Sequence, residues 1–451
     1  MRNRVFFATS CSSRWQGTRL PGKTCRTDRP SAFSAAGGAA SALLLLVLAL
    51  PVAADQADAP APAASGGLTP SLTYDGTALA NLSGGARTGR AYVGNLHLKL
   101  AAQDGAFGWP GFSAFADVLT IHGGQPGSLV GDAQGVSNLE GPPGTQVEEL
   151  WLQYNWKRSN ASLLAGIYDL NSEFYRLQAA GLFLNGAFGI GAEFAQSGVE
   201  GPSIFPRTSA GLRFAFKPTP DSVLRAAVLD GVPVVRPDGS HAVFRGGDGL
   251  LAVAEFALLS RDGARTDRQA PARDRVGRFS SLAPYDDKLA LGAWRYTSRY
   301  PDLSDTDGAG NALMRRGSSG VYAVGERLLI GGDGALGKRL SAFAQAGIAD
   351  ARTNRFGGYF GAGLVGSGWG PFKDSDQIGL SIAHARNGSH YLRAQAAQGV
   401  NRAETTIELT YLTQVSKYLA VQPDLQRVIH PDTDPSIASA WVVQLRFELA
   451  F

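Results

Sequence analysis

The chain has 451 residues, a formal net charge of +4, 57 glycines, 23 prolines and only two cysteines. Both cysteines, Cys11 and Cys25, lie in the first 54 residues, so the remainder offers no disulfide, thiolate zinc site or cysteine nucleophile. The basic balance does not point to nucleic acid either. Seven bases (Arg2, Arg4, Arg14, Arg19, Lys23, Arg26, Arg29) and one acid, Asp28, precede residue 55, and without them 35 bases face 37 acids.

The first element in chain order is an export signal over residues 1–54. SALLLLVLAL (Ser41 to Leu50) is an apolar core between a basic stretch and PVAAD, with small residues at Val52 and Ala54. It is too short for a membrane-spanning helix, which needs about 20 apolar residues, and it fits a cleaved secretory signal. The basic region is long for such a signal, so the true start is expected downstream of Met1. Residues 55–68 form an Ala/Pro-rich linker without periodicity. No helix-length apolar run follows Ala54.

From residue 69 to 451 the pattern is strands. In EELWLQYNW, Leu150, Leu152, Tyr154 and Trp156 alternate with Glu149, Trp151, Gln153 and Asn155. GLRFAFK, TTIELTYLTQV and YLAVQPDLQ alternate in the same way, and the last strand, WVVQLRFELAF, sets Val443, Leu445, Phe447, Leu449 and Phe451 against Gln444, Arg446 and Glu448. Period two means one apolar and one polar face per strand.

There are 17 candidate strands, near 70–83, 90–101, 111–121, 147–157, 161–169, 187–195, 207–217, 222–230, 249–259, 287–298, 320–330, 339–350, 355–366, 377–386, 403–415, 417–429 and 440–451. Bacterial single-chain outer-membrane barrels have an even number. GIGAEF, in the Gly-rich stretch near 187–195, is the weakest and is assigned to a loop. Sixteen strands then alternate tight connections (KRSN, Lys157 to Asn160; KPTPDS, Lys217 to Ser222; the turn near Val415 to Lys417) with long ones near 122–146, 170–206, 231–248, 299–319 and 387–402. Short periplasmic turns opposite long external loops are the asymmetry of such barrels. The Arg/Asp-rich run Ala264 to Ser281 falls on the short-turn side and is read as a solvated insertion.

A soluble β-sandwich or propeller would also alternate. Its dry core would have to bury Glu408, Asp424, Arg446 and Glu448, at several kcal/mol each without complete pairing; a water-filled lumen removes that penalty. The expected fold is therefore all-β, a transmembrane antiparallel β-barrel of 16 strands, wide enough for an aqueous channel.

GIYDLNSEFYRLQAAGLFLN (Gly166 to Asn185) and FGIGAEFAQSGVEGPSIFP (Phe188 to Pro206) resemble the central block of the OprB-type carbohydrate-selective porins. LVGDAQGVSNLEG (Leu129 to Gly141), AVLDGVP (Ala227 to Pro233) and the ending from VQPDLQRVIHP to LRFELAF are similar to that family too. The resemblance spans roughly 70–451 and implies a 16-stranded outer-membrane porin that passes monosaccharides and related polyols. Phe451 resembles the terminal aromatic that barrel-assembly machinery reads in this class. Residues 264–281 depart from the pattern, but only in a turn.

Within the central block, Asn171 or Ser172 is positioned to cap a short helix, Glu173 to Ala180, ended by Gly181 and with Phe174 and Leu177 on one face. A loop this long with its own helix is expected inside the barrel, bringing Asp169, Asn171, Glu173, Tyr175 and Arg176 to a constriction. Trp151, Lys99 and Arg213 point inward by parity and are further candidates. Such side chains can exchange hydrogen bonds with sugar hydroxyls, while rings cover C–H faces. Each has a purely structural alternative: Asp169 and Asn171 can simply fix a turn, and Glu173 and Arg176 can pair with each other.

Other motifs lead nowhere. GAGLVG (Gly361 to Gly366) matches GxGxxG, but SGWGP follows instead of a helix. The six histidines sit on separate segments without metal-ligand spacing. No nucleophile–base motif is present. The expected activity is passive, sugar-selective diffusion without cofactor, metal or catalytic step. Small carbohydrates, outer-membrane lipid and the assembly machinery are the expected partners, with a homo-oligomer left open and no nucleic acid. A general or charge-selective porin and, from another class, a barrel enzyme are the rival readings.

Overall fold

The computed structural model describes residues 67–103, 105, 108–156, 160–235, 241–260, 287–330, 338–368 and 376–451. The export signal, nearly all of the linker and the insertion at Ala264 to Ser281 lie outside the described residues.

Alternation builds the wall. The strands are β1 (Leu68–Gly85), β2 (Gly89–Ala102), β3 (Phe112–Gly123), β4 (Gly144–Trp156), β5 (Ala161–Tyr168), β6 (Ser209–Phe216) and β7 (Ser222–Asp230). Then come β8 (Val234–Val235), β9 (His241–Ala242), β10 (Leu250–Leu259), β11 (Lys288–Tyr296), β12 (Arg299–Thr306) and β13 (Ala312–Arg316). The last are β14 (Ser319–Ile330), β15 (Arg339–Ala349), β16 (Phe356–Ser367), β17 (Gln377–Asn387), β18 (Ala403–Gln414), β19 (Leu419–Ile429) and β20 (Ala438–Ala450). Sixteen of them pair antiparallel with their neighbours in one closed barrel, while β8–β9 and β12–β13 are small hairpins inside two long loops.

Each of the sixteen sequence-expected strands is present, and the stretch near 187–195 is a loop. GAGLVG lies inside β16. The barrel closes between β1 and β20, where Leu72 N–H donates to Phe451 O at 3.0 Å and Phe451 N–H to Leu72 O at 2.9 Å. That reciprocal pair leaves no free edge there.

The two faces of the wall differ as the pattern requires. On β4, Leu150 and Leu152 are 53% and 59% exposed on the outside, whereas Trp151 and Gln153 are buried inside. On β20, Leu445 and Trp441 point out and Gln444, Arg446 and Glu448 point in. Aromatic pairs ring the outside at the short-turn end, with Phe112–Tyr154, Tyr154–Trp156 and Tyr418–Phe451 centroids 4.7, 5.1 and 5.4 Å apart. At the other end the Arg427 guanidinium sits 5.0 Å over the Trp441 ring. An apolar band between aromatic girdles is the signature of a barrel seated in lipid.

Inside, the structure departs from an open, water-lined wall. Counting from the short β1–β2 connection at the long-loop end, the second and third external loops, residues 124–143 and 169–208, fold into the barrel and cover much of its inner face. Phe174, Leu177, Phe183, Phe188 and Phe194 of the third loop are buried in one apolar cluster with Trp294, Tyr322, Phe343 and Val365 of the wall. The inward charges expected to be wet are covered as well. Arg446, 1% exposed, donates to Thr77 Oγ1 and to Asn138 Oδ1 and Ser137 Oγ of the second loop. Asp424 accepts from Gln426 and Gln444. The reason is chemical: loop and neighbouring side-chain groups take hydrogen bonds from Arg446 and give them to Glu408 and to one oxygen of Asp424, standing in for bulk water.

Candidate functional site

The expected helix over Glu173 to Ala180 does not form. Asp169, not Asn171 or Ser172, provides the cap: its carboxylate accepts from Asn171 N–H at 2.9 Å and opens a 3₁₀ turn, Leu170–Ser172. Gly181 lies within a second such turn, Ala180–Leu182, rather than ending a helix. Between them the chain is irregular, with Tyr175 at φ 61°.

The cause is competition for backbone N–H groups. A helix must keep them for its own carbonyls, and here inward carboxylates of the wall take them. Glu255 of β10 accepts from Tyr175 N–H at 2.8 Å. Glu326 of β14 accepts from Gln178 and Ala179 N–H at 3.1 and 2.8 Å. Glu408 of β18 accepts from Leu184 and Asn185 N–H at 2.5 and 3.1 Å. The loop carbonyls meet wall amides and an ammonium: Lys288 Nζ donates to Arg176 O at 2.8 Å, Gln422 Nε2 to Leu182 O at 2.6 Å and Gln345 Nε2 to Phe188 O at 3.0 Å. Each hydrogen bond to an ionised group contributes about 1.5–3 kcal/mol. The second loop is held alike, with Glu404 of β18 accepting from Ala133 and Gln134 N–H at 2.8 and 2.9 Å.

Inward glycines make the space. A Cβ at Gly347 on β15 would stand 1.8 Å from Glu193 Oε1, and one at Gly379 on β17 would stand 2.7 Å from the Phe183 ring. Glu193 lies in the first turn of the short helix α1 (Ala192–Ala195) and accepts from Tyr175 Oη at 3.1 Å. Burial pushes its carboxyl up to about 7, against the opposing pull of its hydrogen bonds.

The sequence-predicted residues fall into separate groups. Glu173 meets Arg213 of β6, whose Nε is 2.7 Å from Glu173 Oε2, and accepts from Tyr168 Oη at 2.5 Å. Arg213 also donates to Gln153 Oε1 and Ser162 Oγ at 2.5 and 2.7 Å. Trp151 stacks on Phe115 and donates to Glu149 Oε2 at 3.0 Å, the oxygen that also faces Asp169 N–H at 3.4 Å. Asn171 donates to Phe174 O and Gly189 O at 3.1 and 2.7 Å.

Tyr175 is wholly buried against Tyr322. Arg176 is half-buried and donates to Ser172 O at 2.9 Å, so Glu173 pairs with Arg213 and not with it. Lys99 is half-buried on β2 opposite Asp117 of β3, but the Asp117 carboxylate is engaged by His97 at 3.0 Å. The wall residues missed from sequence are Glu255, Glu326, Glu404 and Glu408. Their only signal was an inward carboxylate on each strand, which a water-filled lumen explained equally well.

The molecule is thus a closed sixteen-strand barrel with its third external loop bound inside it. The profile described as "Carbohydrate-selective porin, OprB family" matches residues 88–451. The chain belongs to that family. The porin is 24% identical over 417 residues to Porin B of Pseudomonas aeruginosa, a match covering 84% of this chain and 87% of that one. Among solved structures it is similar to Pseudomonas putida OprB at high pH, with a TM-score of 0.69 and 19% identity over 85% of this chain and 94% of that one. Against the low-pH structure of the same protein the TM-score is 0.50 at 15% identity, over 85% and 93%. It is an outer-membrane, carbohydrate-selective porin.

Proposed function

We propose that the third loop forms the narrowing of the channel and that monosaccharides and related small polyols cross there by passive diffusion, with no cofactor and no catalytic step. The observation carrying this reading is the set of wall carboxylates that hold the loop backbone inside the barrel. A loop so fixed presents a static cross-section, which is what discrimination by size and hydroxyl geometry requires.

The groups in reach of a solute are those that keep some exposure: the Glu173 carboxylate, Arg176 and Lys99, with the His97–Asp117 pair beside Lys99. Their mixture of donors and acceptors suits neutral polyols better than ions of either sign. Arg213, Trp151, Asp169, Asn171 and Tyr175 position the loop rather than touch the solute. Outside the channel, the apolar band contacts outer-membrane lipid and Phe451 serves as the assembly signal, after export by a leader cleaved near Ala54.

Liposome swelling with neutral sugars of graded size, alongside amino acids of matched size, tests this. Faster entry of sugars is expected. Equal entry would mean a general porin, and no entry would mean no pore.

A further inference from the structure

The hairpin β12–β13 carries an unusual cross-strand pair on its outward face. Arg299 stands directly opposite Arg316, and both are exposed. Like charges directly opposite one another destabilise a hairpin. The next pair on that face is Pro301–Met314, with Met314 55% exposed, whereas the opposite face is inward, carrying buried Tyr300 and the Arg315 that binds Asp302 at 2.7 Å.

A third guanidinium joins them at the base of the hairpin. Arg295 ends the outward row of β11 and is exposed above Leu289 and Leu291, themselves 55% and 61% exposed. A Cβ at Gly317, the residue after Arg316, would lie 3.5 Å from Arg295 Nε and 3.7 Å from its Nη2.

None of the three has a hydrogen-bond or ion-pair partner among the described residues. The acids nearby are all engaged elsewhere. Asp248 is bound by Arg245, and Asp302 and Asp305 by Arg315, His390 and Arg393. Asp350 is bound by Arg352, and Asp307 accepts from Ala309 and Asn311 within its own turn. Three arginines are thus gathered on an outward face with nothing to neutralise them.

We propose that Arg295, Arg299 and Arg316 form a binding site for the phosphate of an anionic lipid headgroup in the outer leaflet. The site is at the long-loop end, which faces outward in this class, and on the lipid side of the wall. Below it, on the barrel side, Leu291 and Val321 offer exposed apolar surface for acyl chains. Arginine is the residue suited to phosphate, since its planar fork donates two parallel hydrogen bonds. A bound phosphate relieves the Arg299–Arg316 repulsion, so the lipid and the hairpin stabilise each other. Free phosphate satisfies the charges but not the apolar strip, and this commits the site to a lipid.

The test uses the porin in neutral detergent, titrated in native mass spectrometry with three probes. These are a bis-phosphorylated glucosamine glycolipid, the same glycolipid without phosphates, and inorganic phosphate. The phosphorylated lipid is expected to bind tightest, and the R295Q/R299Q/R316Q variant to bind it about a hundredfold more weakly. Unchanged single-channel conductance shows that the variant is folded, because the three residues lie outside the lumen. Equal binding by the triple variant, or equal binding of the dephosphorylated lipid, overturns the proposal. Inorganic phosphate binding as tightly as the lipid overturns the lipid as its source.

Discussion

Arg213 on β6 and Glu173 at the start of the third loop form an ion pair, Nε to Oε2 at 2.7 Å, with the guanidinium 2% exposed and the carboxylate 19%. The pair fixes the point where the chain leaves the wall and turns into the lumen. It also cancels most of the charge a solute would meet there.

Replacing Arg213 with Ala leaves the Glu173 carboxylate facing the channel without its partner. Removing one side of a largely buried pair costs about 3–5 kcal/mol, which here loosens the loop entrance rather than the barrel. The free carboxylate should make the channel more cation-selective. A reversal potential in a KCl gradient reads this directly: a shift toward the potassium equilibrium potential is expected, and no shift would show that Glu173 does not face the solute path.

The wall carboxylates make a second prediction. Glu408→Ala strands Leu184 and Asn185 N–H without an acceptor, at about 1–3 kcal/mol each if they stay buried. The loop should therefore open transiently while the barrel stays folded. Limited proteolysis of the detergent-solubilised porin should cut between Gln178 and Gly191 in the variant and not in the native chain. Equal resistance of the two would mean that packing of Phe183 and Phe188, not hydrogen bonding, retains the loop.

At the long-loop end, β12–β13 is clasped to the short helix α2 (Ser389–Ala394) through His390 Nδ1 and Asp302 Oδ1, 2.7 Å apart. Burial works against the charge of Asp302. Backbone N–H groups of Asp305 and Ser304 and the Arg315 and His390 side chains outweigh it and hold the carboxyl well below the ordinary carboxylate range. A depressed folded-state pKa contributes stability above the unfolded value, and that stability is lost as pH falls through the folded one. Hydrogen exchange of the hairpin should be slow near neutrality and quicken, after correction for intrinsic rates, only well below about pH 4. In Asp302→Asn the quickening should be present already at neutral pH; a native-like profile in that variant would remove Asp302 from the clasp.

Phe451 closes the barrel by exchanging two backbone bonds with Leu72 and stacks its ring on Tyr418 with centroids 5.4 Å apart. Its backbone bonds survive a change of side chain, whereas its ring does not. Phe451→Asp should accordingly lower the amount assembled in the outer membrane more than it alters the conductance of the molecules that do assemble. Normal surface levels would argue against an assembly role for the ring.

The barrel was legible because period two is a local property: Leu150, Trp151, Leu152 and Gln153 each declare their face from their neighbours alone. The path of the third loop was not. Glu408 and the N–H groups it binds are more than 200 residues apart, with separations of 224 and 223 positions. Read locally, Glu173 to Ala180 has helical spacing, and only the distant carboxylates reveal that its N–H groups are claimed elsewhere. Gly347 and Gly379 likewise pass for ordinary strand glycines until Glu193 and Phe183 are seen resting against them. The candidate residues divide on the same line. Arg213 and Trp151 were correctly turned inward by parity, but nothing in the sequence says that loop groups would cover them.

The central claim is that a loop bound inside the barrel sets what passes. Shortening the loop between Leu170 and Pro206, while leaving β5 and β6 intact, and measuring single-channel conductance together with liposome swelling in sugars of increasing size, tests it most directly. Conductance should rise and the size limit should move to larger sugars. Unchanged conductance and an unchanged size limit would contradict the account, because the narrowing would then lie elsewhere.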